Sequence, residues 1–577
     1  AYVTMAVVGI DFGNLNCVVA QAGRGGVDVL LNGASKRLNA CVVSLQGKQR
    51  FMGDEGSAIA RSNYKNTIVC MKRLLGRKFT EPEVQHEMSK IPLKFVELLN
   101  GYVGVELMYN DAPTVVSMEE ATAMMLTKLM QITESAAGVK VYDAVISIPG
   151  YWTDAQRKAM SDACKIAQLS CLRLMHDGTA SALAFGIFKS AKGLFEQKKE
   201  PTNVLFLDLG HASFTAQVVA FNTGKLQVKS AAYDRNLGGR DFDEIIAKFI
   251  SEKFQEKHKL DAWNNTKARM KLITAAEKAK KTISPTGVNE VFISCECLMN
   301  DLDFNVKLLL EEFQELSAPL LARLTIPIER AVAESGISAG DLESVEITGG
   351  STRIGFIKKH IADVLGCDKS AMNFGLSTTM NADEAVSRGC ALQAAMLSTR
   401  FKVKPFNIYE AVNLPVKVCW NQSPSAAIPM DTGDDDEEDG HDSSAADSLL
   451  LFKKGDETPK VKHITFKRSD TFSIEAMYDE SNLPDLPQQT DLRIVSFTVK
   501  PSPEMAKEDV KKIRVSVKHD MHGIVTCPDA VMMLEIKDTP EAVPKDAAAD
   551  KKTEETEKKE SSDAEKKRHR GERGQTR

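Results

Sequence analysis

The chain has 11 cysteines in 577 residues but no Cys-x-x-Cys pair. Cys17, Cys41, Cys70 and Cys164 are scattered. Cys295 and Cys297 would share one face of a strand, yet no second ligand pair at zinc spacing accompanies them. Free thiols in a reducing cytoplasm are therefore expected, rather than a disulfide framework or a structural metal. No uninterrupted apolar run approaches the roughly 18 residues of a membrane helix. The opening AYVTMAVVGIDFG has no basic region ahead of a leader-like stretch and enters an expected strand directly. A cytoplasmic location with no membrane partner is expected. The net charge is only −5, which gives no general attraction to nucleic acid.

What is present is 43% apolar and 27% charged residues, enough for buried cores and a solvated surface. The length allows three or four domains. Residues 5–399 alternate apolar runs such as VVGIDF and VLFLDL with helical patterns such as Met118 to Glu134, which predicts a mixed α/β domain large enough for two lobes. A short connector, 400–415, reads RFKVKPFNIYEAVNLP. From 416 to 540 the runs KHITFK, FSIEAM, DLRIVSFTVK, KKIRVSVKH and VMMLEIK recur between turn residues, which predicts an all-β sandwich. Within it, MDTGDDDEEDGHDSSAAD (430–447) contains an acidic loop, 431–447, expected to be disordered. A calcium site there would lack the spaced ligands and closing glutamate of a known loop. The Lys- and Glu-rich tail, 541–577, is likewise expected to be disordered.

One pattern occurs twice. VVGIDFGNLNCVVAQA (7–22) and VLFLDLGHASFTAQVV (204–219) share a layout of apolar strand, Asp-x-Gly turn and returning strand. Asp11 corresponds to Asp208 and Gly13 to Gly210, which suggests two duplicated lobes presenting hairpins to a shared cleft. Glycine after the strand lets backbone N–H groups approach phosphate oxygens. Two facing carboxylates can hold hydrated magnesium. A third turn, VEITGGSTRIGFIKKHI (345–361), reads as strand, Gly349-Gly350 turn and helix. Its free N–H groups could meet an anion or a polar ring edge, and Arg353 could lie on a purine face. An ordinary strand-to-helix connection reads the same way.

These motifs, together with KNTIVCMKRLLGRKF (65–79), ISIPGYWTDAQRKAMSDACKIAQL (146–169), NLGGRDFD (236–243), ITAAEKAKKTIS (273–284) and MNADEAVSRGCALQAAML (380–397), resemble the actin-like ATPase superfamily. Within it they are similar to the 70-kilodalton heat-shock chaperones and their 110-kilodalton relatives. The resemblance implies a two-lobed actin-like ATPase domain followed by a peptide-binding β-sandwich. It also implies that Asp11 and Asp208 hold Mg2+ through water. Gly13 and Asn14, with Leu15 beside them, and Gly210, His211 and Ser213, with Ala212, would line the phosphates of ATP or ADP. Lys72 would orient attacking water, with Asp177 and Asp208 as its catalytic companions. Glu277, Lys280, Lys281 and Ser284, spaced along one helix face, would bracket ribose and adenine. Gly349, Gly350, Ser351, Arg353 and Asp383 would close the other side. Without the resemblance, Lys280 and Lys281 read as a solvated helix face.

Departures from the foldase branch favour the 110-kilodalton branch. Asn14 and Leu15 stand where two threonines are usual, and GHASFT replaces a triple-glycine turn followed by Thr-Phe-Asp. His176-Asp177-Gly178-Thr179-Ala180 replaces Asn-Glu-Pro-Thr-Ala, and Arg240 replaces a glutamate. Asp177 reaches one methylene less far than glutamate, and a misplacement of about 1 Å can cost roughly a hundredfold in rate. ATP binding with slow turnover is expected. The implied function is a nucleotide exchange factor for a 70-kilodalton heat-shock chaperone that also holds unfolded polypeptide clients. The alternative is an autonomous ATP-hydrolysing folding chaperone. The family's helical bundle beyond the sandwich has no counterpart in the charged tail, which implies a fragment, a frameshifted form or weakened exchange.

Overall fold

The computed structural model describes residues 6–23, 26–195, 200–368, 370–421, 448–468, 471–500 and 511–533. The acidic loop at 431–447 and the tail at 541–577 lie outside the described residues.

The duplicated hairpins head two sheets of like construction. In the first lobe, β1 (Ala6–Phe12), β2 (Asn16–Gly23), β3 (Gly26–Val29), β4 (Val141–Ile148) and β5 (Ser170–His176) lie in the order β5-β4-β1-β2-β3. In the second, β6 (Thr202–Leu209), β7 (Phe214–Asn222), β8 (Lys225–Asp234), β9 (Ser344–Thr348) and β10 (Asn407–Ala411) lie in the order β9-β6-β7-β8-β10. β1 pairs antiparallel with β2 and parallel with β4. β6 repeats this, antiparallel with β7 and parallel with β9. Asp11 and Asp208 are each the last residue but one of their strand, so the duplication sets them at matching strand ends.

Both hairpins are apolar without alternation because both faces of each sheet are covered. In the first lobe one cover is the Ala385–Leu397 helix, which lies so close to β1 that a Cβ on Gly9 would overlap the backbone of Cys390 and Ala391. The same helix crosses the Asp177–Ala191 helix, and a Cβ on Gly389 would overlap the carbonyl of Ala180. The helical pattern expected from Met118 forms Met118–Ala137. It is started by a Ser117–Glu120 capping box and stopped at Gly138, whose φ is 67°.

The connector contributes a strand of its own. Its Asn407–Ala411 portion is β10, added parallel to β8 through Lys225 opposite Asn407. The sandwich follows as a four-stranded sheet (Ser448–Phe452, Val416–Trp420, Phe472–Tyr478, Arg493–Val499) against a three-stranded one (Lys460–Arg468, Lys511–His519, Val525–Met533). Trp420, Phe452, Phe466, Phe472, Ile474 and Val515 fill the space between them. The last described strand, VTCPDAVMM, takes in the first three residues of the expected run VMMLEIK, whose remainder, 534–537, lies outside the described residues. Among the described residues it is the edge of its sheet, and Pro528 falls where its register with Lys511–His519 shifts.

The sandwich rests against the first lobe through buried polar bonds. Tyr478 Oη accepts from the Asp154 N–H (2.7 Å), and Asp154 Oδ2 accepts from the Val525 N–H (3.0 Å). Buried Arg157 donates to the carbonyls of Trp152 (3.1 Å), Gly150 (3.3 Å) and His522 (3.0 Å), and to His176 Nε2 (3.0 Å). Burial, with Arg157 and Arg173 nearby, outweighs the pull of Glu410 and lowers His176 to about 4, so the ring is neutral and can accept.

Candidate functional site

The two Asp-x-Gly turns open onto a cleft of about 540 Å³. Asp11, Gly13, Asn14, Leu15, Lys72 and Asp177 line it from the first lobe. Asp208, Gly210, His211, Ser213, Glu277, Lys280, Lys281, Ser284, Gly349, Gly350, Ser351 and Arg353 line it from the second, and Asp383 lies on its rim. Of the residues singled out in the sequence, only Ala212 does not line it. Ala212 is buried, and its backbone packs under Gly238, where a Cβ would overlap the Ala212 nitrogen. The cleft also takes in Asn16, Val18, Leu38, Thr215, Gly239, Pro285, Ile354, Ala382 and Val386. Gly239 lies in the NLGGRDFD motif and could have been found there. Asn16, Val18, Thr215, Ile354, Ala382 and Val386 also fall inside the quoted motifs, whereas Leu38 and Pro285 lie outside them.

Close backbone approach builds the walls. Gly349 has φ 82°, and a Cβ there would overlap the Leu209 carbonyl and the Asp208 carboxylate, so glycine brings the end of β9 against Asp208. A short 3₁₀ turn, Gly350–Arg353, then faces the cleft, and the expected helix begins only at Gly355. Ser351 Oγ donates to the Gly210 carbonyl (3.0 Å), and the Gly239 N–H donates to the same oxygen (2.9 Å). The Arg240 N–H holds the His211 carbonyl (2.9 Å). Lys72 comes from the four-residue helix Met71–Leu74, which is preceded by Cys70 in the left-handed region at φ 56°. A non-glycine residue there costs about 1–2 kcal/mol, a strain stored next to a lysine that reaches Asp177.

The floor of the cleft is short of positive charge. Lys72 Nζ lies 3.4 Å from Asp177 Oδ2, and Ser147 Oγ donates to Asp11 Oδ1 (3.0 Å). Burial raises Asp11 to about 6, with Asp177 adding to it and Lys72 and Ser147 opposing. Burial, then the charges of Asp177 and Asp11, raises Asp208 to about 7. Burial would lower Lys72, but Asp177 and Asp11 outweigh it and keep the ammonium above its ordinary value. The buried oxygens Asp177 Oδ1 and Asn14 Oδ1 have no hydrogen-bond partner among protein atoms. Three carboxylates, one ammonium and unpartnered oxygens fit a hydrated divalent cation. No three His, Cys, Asp or Glu side chains converge to ligate a metal directly among the described residues.

The helix face at Glu277 divides its labour. Lys280 is turned inward, donating to the Gly239 carbonyl and to Asp243 Oδ2, both at 2.8 Å. Exposed Lys281 pairs with Glu277 (2.6 Å), and Ser284 Oγ donates to the Lys280 carbonyl (2.6 Å). Arg353 pairs with Asp383 (2.6 Å) across the rim. His211 is lowered to about 3 by burial and by the charges of Arg240 and Lys280, so it faces the cleft neutral.

Arg240 does not leave a charge stranded. Its guanidinium grips both oxygens of Glu87 (2.6 and 2.9 Å), which also takes Arg73 (3.2 Å). Glu87 belongs to the Pro82–Lys90 helix of the first lobe, so the triad spans the cleft. Burial alone would raise Glu87, but Arg240 and then Arg73 prevail and hold it at about 2. This glutamate has no signal in the sequence.

The whole of residues 7–577 matches the family model described as Hsp70 protein. The chain belongs to the Hsp70 family. Similar relatives include Heat shock 70 kDa protein 16 of Arabidopsis thaliana, 39% identical over 92% of this chain and 65% of its own length. Heat shock 70 kDa protein 4 of Rattus norvegicus is 38% identical over 92% of this chain and 59% of its own. Heat shock 70 kDa protein 14 of Arabidopsis thaliana is 37% identical over 92% and 60%. These Hsp70 relatives are of the 110-kilodalton type that the sequence resembles. The chain thus spans 59–65% of the length of these relatives. No helix among the described residues is long and apolar enough to cross a membrane.

Proposed function

We propose that the chain is an ATP-binding co-chaperone of the 110-kilodalton type, which accelerates nucleotide exchange on a 70-kilodalton heat-shock chaperone and holds unfolded polypeptide. The observation that carries this is the joining of a nucleotide-sized cleft to a sandwich held on the same lobe by buried hydrogen bonds. In this proposal residues 5–399 form the nucleotide-binding domain, 400–415 the linker and 416–540 the substrate-binding-like sandwich, working in the cytoplasm.

Asp11 and Asp208 would hold Mg2+ through water. When bound, the ion supplies the positive charge the floor lacks and neutralises phosphate oxygens. The turns at Gly13 and Gly210 keep side chains away from the phosphates, and Lys72 offers them an ammonium fixed by Asp177. Neutral His211 adds no charge. Asp177 is engaged with Lys72 and is shorter than a glutamate, so it is poorly placed to position water, which supports holding ATP over cleaving it.

The test is ADP release from a cognate 70-kilodalton chaperone with and without the chain. Acceleration at stoichiometric amounts is expected; its absence would leave a holding role alone. Steady-state ATP turnover stimulated by unfolded peptide would instead favour the autonomous folding chaperone.

A further inference from the structure

The segment Asp234-Arg235-Asn236 leaves β8 and enters the Gly238-Gly239 turn that packs on the His211 loop. Within a few residues it therefore spans the distance from the sandwich to the cleft. The planar guanidinium of Arg235 forks between two bodies. Nη2 donates to Glu83 Oε1 (2.9 Å) on the Pro82–Lys90 helix of the first lobe. Nη1 donates to the backbone carbonyl of Asp485 (2.6 Å) in the sandwich. Its main chain is tied as well, because Arg73, the neighbour of Lys72, donates to the Arg235 carbonyl and to Asn236 Oδ1.

The Asp485 carbonyl is a fixed target. The carboxylate of the same residue takes both arms of Arg330 (2.5 and 2.5 Å) from the Ala318–Ser335 helix, and Lys454 (3.3 Å). These groups surround a cavity of about 210 Å³ between the second lobe, the linker and the sandwich. Arg235 and Glu83 are 16% and 18% exposed, so the pair is not the solvent-screened kind that contributes little.

We infer that Arg235 is the positioning residue that couples closure of the cleft to docking of the sandwich, an inference that rests on the ATP-held arrangement proposed above. A guanidinium is rigid and its donors diverge in one plane, so the arm on Glu83 aims the arm on Asp485. Closed lobes bring Glu83 to Arg235 and point Nη1 at the sandwich. Opening withdraws Glu83 and frees the fork to rotate away. Neither arm touches the cleft, so the residue acts on docking and not on nucleotide contacts.

The test is hydrogen exchange on the full chain, with and without Mg2+ and ATP, read at the amides of Asp154 and Val525, whose bonds cross to the other body. In the parent, ATP slows both. Arg235→Ala is expected to exchange both amides roughly tenfold faster in ATP, the size of an ordinary coupling, and by the reciprocity of linkage to bind ATP more weakly by no more than about the same factor. Glu83→Gln, close in shape and leaving Arg235 in place, is expected to shift them in the same direction. The double variant should be no faster than Arg235→Ala alone. Protection in Arg235→Ala equal to the parent's, or additive effects of the two changes, would overturn the coupling while leaving the proposed function intact. A parent whose amides ignore ATP would overturn the ATP-held arrangement and the coupling with it.

Discussion

Gly210 sits at the mouth of the second turn with room for a side chain: the nearest atoms to a Cβ there are the Ser213 carbonyl at 3.6 Å and Asp208 Oδ1 at 4.0 Å. Gly210→Asp should therefore fold, while setting a carboxylate beside Asp208 where phosphate would lie. ATP affinity measured by calorimetry should fall by at least roughly tenfold; an unchanged value would put the nucleotide elsewhere. Glu87 makes a different kind of prediction. Its folded value of about 2 lies below the ordinary 4.5, so it stabilises the fold fully above about pH 4.5 and loses that contribution as pH falls towards 2. Glu87→Gln leaves two partly buried guanidinium groups sharing a neutral partner and should cost about 3 kcal/mol. The gap between parent and variant in denaturant unfolding should be flat from about pH 5 to about pH 8 and begin to narrow below about pH 4.5. A gap that widens on acidification would mean the carboxylate is not held by Arg73 and Arg240.

The strands bearing Asp11 and Asp208 were legible at the scale of elements because a doubled apolar hairpin is an unusual pattern. The third turn was legible only in part, since nothing in VEITGGSTRIG separates a 3₁₀ turn from the start of a helix. Ala212 and Lys280 show a second limit. A sequence places both beside the cleft, but tertiary packing decides which faces in: Gly238 covers Ala212, and Asp243 draws Lys280 into the wall. Glu87 and the left-handed Cys70 were hidden for a plainer reason, the first because its partner Arg240 is 153 residues away, the second because cysteine carries no turn signal. The crossing of the two central helices can be tested directly. Gly389→Ala places a methyl against the Ala180 carbonyl, and both are helix backbone with little freedom to yield. A loss of about 1–3 kcal/mol is expected from overpacking, against the small gain alanine ordinarily brings to a helix. Thermal unfolding that is unchanged or raised would refute the close crossing.

For the molecule as a whole, the bond between Asp154 and Tyr478 is a sensitive point of docking. Tyr478→Phe keeps the ring in the sandwich but leaves the buried Asp154 N–H without its acceptor, costing about 1–3 kcal/mol. The folded sandwich should persist by circular dichroism while small-angle scattering shows a larger radius of gyration in ATP; an unaltered radius would assign docking to Arg157 and the Asp485 cluster alone. The helix crossing has a last consequence at this scale. At Gly389 and Ala180 two backbones touch with no side chain between them. At that one point a turn of one helix over the other has no side chain to repack, whereas Leu183, Val386, Cys390 and Ala394 around it pack in a common cluster. The ion pairs of Glu83 with Arg235 and of Glu87 with Arg240 join the two lobes away from that point, so any movement of one lobe on the other would have to loosen them.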